Sequence, residues 1–270
     1  MCGLSAESVA MLKDAEIDAV LHCAASINFS LSKKAETHLI NTGGTANVLE
    51  LAVGIDAKSF HHISTAYVAG DSKYFSESDL QKNQVFRNPY EKSKFDAEEM
   101  IRLWCLRHGI PFSIYRPSVI VGDSASGEIE SFDGYYGFFK YLAAMRDRAR
   151  EKIRLGISNG FAKMVKGNLV FFPITIRCSF FSTINLVARN WVADNICYLV
   201  TKEAKNKTYN LVAENPPKVK WVIEETLRLM EIYTHLLEAE DPSHIPLQKG
   251  ESSRLAEVLH PLAQGPGRHA

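Results

Sequence analysis

A tyrosine and a lysine stand four residues apart in Asn88-Pro89-Tyr90-Glu91-Lys92-Ser93-Lys94, just ahead of Phe95-Asp96-Ala97-Glu98-Glu99-Met100. On a helix, positions i and i+4 share one face, so the phenol and the ammonium point into the same space. A free phenol, with a pKa of about 10, exchanges protons poorly at neutral pH. A nearby cation favours the phenolate and brings the pair into the range of acid–base work. Pro89 suits a first helical turn, and Asp96, Glu98 and Glu99 read as the continuation of a polar face. With 10 tyrosines in the chain, one Tyr-x-x-x-Lys arises by chance about as often as not. Its meaning rests on the elements around it.

Those elements alternate. Glu7–Asp14 reads as a short amphipathic helix, and Ile17–Ala25 as a buried strand ending in small residues. Asn41–Ala52 follows as a helix, then Lys58–Thr65 as a strand that ends in two hydroxyls. The helix carrying Tyr90 and Lys94 runs to about His108 with Gly109 as its stop, and Pro111–Arg116, broken by Pro117 and resumed at Val119–Gly122, is a further strand. Strand and helix in alternation at this spacing predict an α/β fold with a doubly wound parallel sheet. Ligands of such sheets sit at the carboxyl ends of the strands, where Ala24-Ala25, Ser64-Thr65 and Pro117-Ser118 all fall. Beyond Gly122 the rhythm loosens: helices are expected at Phe138–Lys152, Trp191–Lys202 and Lys220–His235, and strands at Leu169–Pro173, Ser182–Val187 and Thr208–Val212. This divides the chain into a core at 1–122, a smaller substrate-binding region at 123–240 that partly packs back on the core, and a loosely held tail at 241–270.

The bulk properties narrow the field. Lys+Arg and Asp+Glu both total 31 in 270 residues, so no net charge draws the chain to nucleic acid or to an anionic membrane. The five cysteines are scattered without Cys-x-x-Cys spacing, which suggests reduced core residues, no metal site and a cytoplasmic setting. The N-terminus lacks a charged-then-apolar signal pattern, and Arg177, Arg189 and Asp194 interrupt the most apolar region, Leu169–Val200, so no membrane span is expected.

Five blocks occur in a telling order: His22-Cys23-Ala24-Ala25-Ser26, Asn41-Thr42-Gly43-Gly44-Thr45, Ser64-Thr65-Ala66-Tyr67-Val68-Ala69-Gly70, Asn88 to Lys94, and Tyr115-Arg116-Pro117-Ser118. Together they resemble the extended short-chain dehydrogenase/reductase superfamily, in which the nucleotide-sugar and sterol epimerase/dehydrogenases also fall. His22-x-Ala24-Ala25-Ser26-x-x-Phe29, Gly122–Glu128 and Thr208–Val212 are similar to its thioester reductase and fatty acyl-CoA reductase branch. The resemblance covers roughly residues 1–230 and implies a Rossmann-like sheet. It implies Tyr90 as general acid/base, Lys94 as electrostatic partner and ribose ligand, and Thr65 as hydrogen-bond donor to the substrate carbonyl. Asn41 joins that catalytic set. Ala24, Ala25, Ser64, Pro117 and Ser118 would line the cofactor together with Tyr90 and Lys94. The implied cofactor is NADP or NAD, with NADP favoured, and the implied partner is an acyl thioester on coenzyme A or a carrier protein. The oligomeric state is unknown.

Plainer readings stand beside these. Ser64-Thr65 also suits strand-end capping, Ala24-Ala25 close packing, and His22 a satisfied core histidine. His61 and His62 read as strand residues with one ring exposed, and Phe132, Tyr135, Tyr136, Phe138 and Phe139 as an acyl pocket or as core. Two features depart from the family pattern. The glycine-rich turn that receives a pyrophosphate is missing, since Gly43-Gly44 opens a later helix, and by the resemblance that turn would lie upstream in a partial fold. Asn190 also stands where relatives carry aspartate. Three functions remain open: an acyl thioester or aldehyde reductase, a nucleotide-sugar or sterol epimerase/dehydrogenase, and a non-catalytic interaction protein.

Overall fold

The computed structural model describes residues 2–131, 135–157, 162–202 and 206–238. The described residues fall into two compact units, one formed by 2–127 with 186–214 and the other by 128–185 with the stretch from 215 onward. Phe132 and the tail at 241–270 lie outside the described residues.

The first unit is built on a parallel four-stranded sheet. Strands β1 (Val20–His22), β2 (Phe60–Ile63) and β3 (Phe112–Pro117) are joined in register by β8 (Lys207–Leu211) in the order β1-β2-β3-β8. His22 pairs with His62, Ile63 with Tyr115 and Pro117 with Leu211, so the carboxyl ends of adjacent strands line up. Helices α1 (Ala6–Asp14), α2 (Lys34–His38) and α3 (Gly44–Gly54) precede β2, and α4 (Pro89–His108) connects β2 to β3. Leu49, Ala52, Phe60, Ile101, Cys105, Phe112 and Ile114 form the shared core of sheet and helices. This is the parallel α/β sheet that the alternation predicted, and it agrees with the Rossmann-like sheet that the resemblance implied. Every residue of β3 is buried, as expected for a strand covered on both faces. A second, two-stranded parallel piece pairs β4 (Val119–Val121) with β7 (Leu186–Ala188), which runs directly into α6 (Arg189–Val200). There Asn190 accepts from the backbone N–H of Ser124 at 3.0 Å and donates to its hydroxyl at 2.9 Å, a contact between neutral groups.

The second unit holds α5 (Tyr135–Arg154), α7 (Val219–Leu229) and a three-stranded sheet of β5 (Lys163–Lys166), β6 (Leu169–Cys178) and β9 (Ile232–Glu238). The expected helix at Lys220–His235 stops early. Glu231 takes a positive φ of 54°, and beyond it buried Ile232 and Thr234 alternate with exposed Tyr233, a period of two that suits a strand. Phe138 and Phe139 are buried and touch edge-on at 5.4 Å, which is core packing within this unit.

All five cysteines are free, but only Cys105 and Cys178 are buried, so the expected core placement fails for Cys2, Cys23 and Cys197. Among the described residues, no helix is long and apolar enough to cross a membrane, and no cluster of His, Cys, Asp or Glu is arranged to hold a metal ion.

The segment between β2 and α4 closes tightly. A short turn at Ala66–Ala69 ends at Gly70, whose φ is +55°, and a Cβ there would stand 2.6 Å from the Val85 carbonyl oxygen. Asp71 locks the same crossing, because its carboxylate accepts from Val85 N–H at 2.7 Å. Replacing Gly70 with alanine is therefore expected to lower stability by about 1–3 kcal/mol, the usual range for a forced backbone conformation. The shift in urea midpoint at unchanged slope measures it.

Candidate active site

Helix α4 starts where its sequence dictates. Asn88 caps it by accepting Glu91 N–H at 2.9 Å, Pro89 fills the first turn, and Glu91 reaches back to Asn88 Nδ2 at 3.0 Å and Arg87 N–H at 2.9 Å. At the far end Gly109 adopts the left-handed conformation with φ +67°, closing the helix at His108 as expected. The cap holds the first turn of α4, and with it Tyr90, at the carboxyl end of β2.

Three of the expected residues meet there. Thr65 follows β2 in extended conformation and accepts Tyr67 N–H at 3.3 Å, and its hydroxyl lies near the Tyr90 phenol, where it favours the phenolate. Tyr90 is 9% exposed, with the Phe29 ring edge-on at 5.6 Å. Lys94, one turn further along, is 2% exposed, and its Nζ donates to the Ile63 carbonyl at 2.6 Å and lies 3.0 Å from His62 Nε2. Burial pushes the Tyr90 phenol up to about 12, opposed by the nearby Thr65 hydroxyl and assisted by the Glu91 carboxylate. Burial draws Lys94 down to about 8, with Glu98 opposing. The cation expected to acidify Tyr90 is thus bound to β2, and what eases ionisation of the phenol is the Thr65 hydroxyl. At neutral pH the phenol is protonated and equipped to donate.

The remaining residues take up surrounding places. Asn41 lies in a π-helical turn spanning Leu39–Gly43 and is 2% exposed. Its Oδ1 accepts from Ser26 N–H at 2.7 Å, and its Nδ2 donates to Ser26 C=O at 3.0 Å and to Ser93 Oγ at 2.9 Å. Ser93 Oγ in turn donates to the Tyr90 carbonyl at 2.9 Å. The amide therefore clamps the loop after β1 to the first turn of α4. Ala24 and Ala25 are exposed directly after β1, and Pro117 and Ser118 close β3, where Ser118 N–H donates to the Leu211 carbonyl at 3.1 Å. Ser64 is turned inward: its hydroxyl donates to Glu98 Oε1 at 2.5 Å, while its backbone N–H donates to the Tyr115 carbonyl at 2.7 Å.

Several residues of this region were missed or misplaced from sequence. Glu98, read as part of a polar face, is fully buried and ion-paired with Arg116, whose Nη2 stands 2.7 Å from Oε2. Arg116 also donates to the carbonyls of Ser76 at 3.2 Å and Asp79 at 2.8 Å. An arginine inside an otherwise apolar strand was the available signal, because a buried charge requires a partner. Neither His61 nor His62 is exposed, because β2 is covered on both faces. His61 bonds Tyr115 Oη at 2.8 Å and Ser59 Oγ at 3.1 Å, and His22, as expected of a satisfied core histidine, bonds Thr45 Oγ1 at 2.9 Å.

An NAD-binding family model described as "Male sterility protein" matches residues 1–154. Over 137 residues the chain is 31% identical to a linear gramicidin synthase of Brevibacillus parabrevis, a match covering 48% of this chain and 3% of that protein. It is 30% identical over 125 residues to mouse UDP-glucose 4-epimerase, covering 44% of this chain and 35% of the epimerase. Among solved structures, the terminal R domain of the myxalamid PKS-NRPS pathway superposes with a TM-score of 0.64 at 22% identity, covering 98% of this chain and 62% of that one. The chain thus spans a small part of the curated relatives it matches.

The buried pair and the buried ring set two expectations. Removing the Glu98 carboxylate, as in Glu98→Ala, leaves Arg116 as an uncompensated buried charge and should cost about 3–5 kcal/mol in urea unfolding, against a much smaller loss for Lys92→Ala on the exposed face. For His22, burial and the Lys94 charge lower the folded-state value to about 4. Between pH 6.5 and 4 the unfolded chain then binds the extra proton and the folded one does not, so stability falls as pH drops through that window. His22→Gln should flatten that slope in pH-dependent unfolding.

Proposed function

The chain belongs to the male sterility protein family, within the extended short-chain dehydrogenase/reductase superfamily, and we propose that it reduces an acyl thioester, or the derived aldehyde, with a nicotinamide cofactor. The observation that carries this reading is the approach of the Thr65 hydroxyl to the Tyr90 phenol at the carboxyl end of β2, with Lys94 buried one turn away. When bound, the cofactor supplies a hydride. Charge then develops on the substrate oxygen, and the Thr65 hydroxyl and the Tyr90 phenol are the groups that stabilise it. Tyr90, kept protonated by burial, passes its proton to that oxygen. Collapse of the resulting hemithioacetal releases the thiol and leaves an aldehyde.

The residues present fit the nicotinamide–ribose end of such a cofactor. Ala24 and Ala25 expose backbone with no side chain beyond Cβ, Pro117-Ser118 closes the neighbouring end of β3, and Lys94 keeps one of its three N–H groups for a ribose hydroxyl. NADP is the favoured form, and coenzyme A or a carrier protein the expected bearer of the acyl group. Asn41 acts through its clamp on Ser26 and Ser93, which makes it a positioning residue, and Ser64 contributes in the same way through Glu98.

A second reading, a nucleotide-sugar epimerase, is favoured by the likeness to mouse UDP-glucose 4-epimerase, because the same three side chains serve alcohol oxidation and return. Substrate turnover separates the two. Consumption of NADPH with an acyl thioester, and no interconversion of UDP-sugar epimers, supports the reductase; interconversion of UDP-sugar epimers without net NADPH consumption, and inert acyl thioesters, supports the epimerase. Under the first reading, Tyr90→Phe lowers turnover about 10²–10⁴-fold with cofactor affinity by calorimetry nearly unchanged. Near-normal turnover in that variant removes Tyr90 from its role.

A further inference from the structure

The Lys94 ammonium stands deep in the fold, and what surrounds it is uneven. Its Nζ donates to the Ile63 carbonyl at 2.6 Å and approaches His62 Nε2 to 3.0 Å. An ammonium can only donate, so Nε2 must accept and the ring proton must sit on Nδ1. His62 Nδ1 is buried without a partner. A buried N–H left without an acceptor costs free energy and is rare in native proteins. The arrangement therefore satisfies the lysine at the expense of the histidine.

The other charged and titratable groups around the cluster do not supply this role. From β1, the His22 ring lies 5.1 Å from that of His62 but is bonded through Nε2 to Thr45 of α3, and Cys23 lies at the exposed strand end. From α4, Glu98 is occupied by Arg116 and Ser64. Burial holds both imidazoles neutral, His62 well below its ordinary value, with the Lys94 charge acting in the same direction. His62 is thus a neutral acceptor lodged against a buried cation.

We infer that His62 is a positioning residue for Lys94: its imidazole, fixed as the Nδ1–H tautomer, accepts one ammonium N–H, pins Nζ against β2 with the Ile63 carbonyl, and leaves the third N–H for a ligand hydroxyl. That the hydroxyl belongs to a cofactor ribose rests on the proposed function; the pairing of His62 with Lys94 does not.

The test is nuclear magnetic resonance on the whole 270-residue chain, with ¹⁵N-labelled histidine and ¹³Cε-labelled lysine, the Lys94 signal being assigned by its loss in Lys94→Met. In the unaltered protein, His62 is expected to show a protonated Nδ1 and a bare, accepting Nε2 at neutral pH, with Lys94 titrating near pH 8. His62→Leu removes the acceptor, disfavours the charged amine and should move the Lys94 titration down by about one to two pH units. His62→Gln, whose Oε1 accepts, should restore most of that shift. A proton on His62 Nε2 at neutral pH, or an unmoved Lys94 titration in folded His62→Leu, overturns the inference. If His62→Leu does not fold, the tautomer measured in the unaltered protein decides alone. Neither readout needs cofactor or turnover, so absence of reductase activity beside the expected tautomer counts against the proposed reaction and leaves this assignment standing.

Discussion

One buried carboxylate ties the first unit together. Glu98 sits on the inner face of α4, receives Arg116 from β3 and Ser64 from the end of β2, and through Arg116 fixes the carbonyls of Ser76 and Asp79. A helix, two adjacent strands and the connecting segment thus meet at a single charge. Taking both ions out of water is costly, and replacing such a pair with apolar side chains is often neutral or stabilising. What the pair supplies is geometry. The guanidinium fork and the two carboxylate oxygens have few orientations that satisfy every donor, so the strand ends and the helix are held at fixed relative positions. Phe75 lies against the guanidinium, 4.9 Å from ring centre to Cζ, and completes the enclosure.

The geometry of the candidate site follows from that constraint. Ser64 is spent on Glu98, and the extended backbone at this strand end turns the next residue, Thr65, to the opposite side, towards Tyr90. Adjacent hydroxyls in one strand therefore serve opposite ends: one fastens the strand to the core, and the other faces the phenol. Asn41 does for the loop after β1 what Glu98 does for β2, by clamping it to the turn that carries Tyr90. The local chemistry is that of a dry, preorganised site. Burial raises the phenol and lowers the ammonium, so at neutral pH Tyr90 holds a proton to give and Lys94 stays charged at moderate cost.

Much of this was legible in the sequence, and the reasons differ by residue. The α4 boundaries were readable because Pro89 and Gly109 encode local backbone geometry that tertiary packing does not override. The parallel sheet was readable from the alternation of short apolar runs with helical segments. Ser64 was placed with the cofactor because a hydroxyl at a strand end has the same sequence signature whether it faces a ligand or a buried acid. Glu98 was assigned to solvent because an isolated helix repeat does not show which partner lies across it, and Arg116 is 18 residues away in sequence. The strand β9 was hidden for a related reason. Its pairing with β6 is non-local, and only the backbone reversal at Glu231 separates it from the helix before it.

The relation between Tyr90 and Lys94 shows where spacing alone stops. Four residues along a helix do place both side chains on the sheet-facing side of α4, but the length of a lysine chain lets its end group choose among acceptors. Here the choice falls on the Ile63 carbonyl and on His62, both on β2, and the acidifying contact to Tyr90 comes from Thr65. The helix spacing thus fixes which space the two groups share, while β2 fixes what each does within it. A Tyr-x-x-x-Lys pair in a fold with a different neighbouring strand would keep the first property and lose the second. The informative unit is therefore the pair together with the strand end from His62 to Thr65, because only the register of β1, β2 and β3 brings those side chains and carbonyls to one edge.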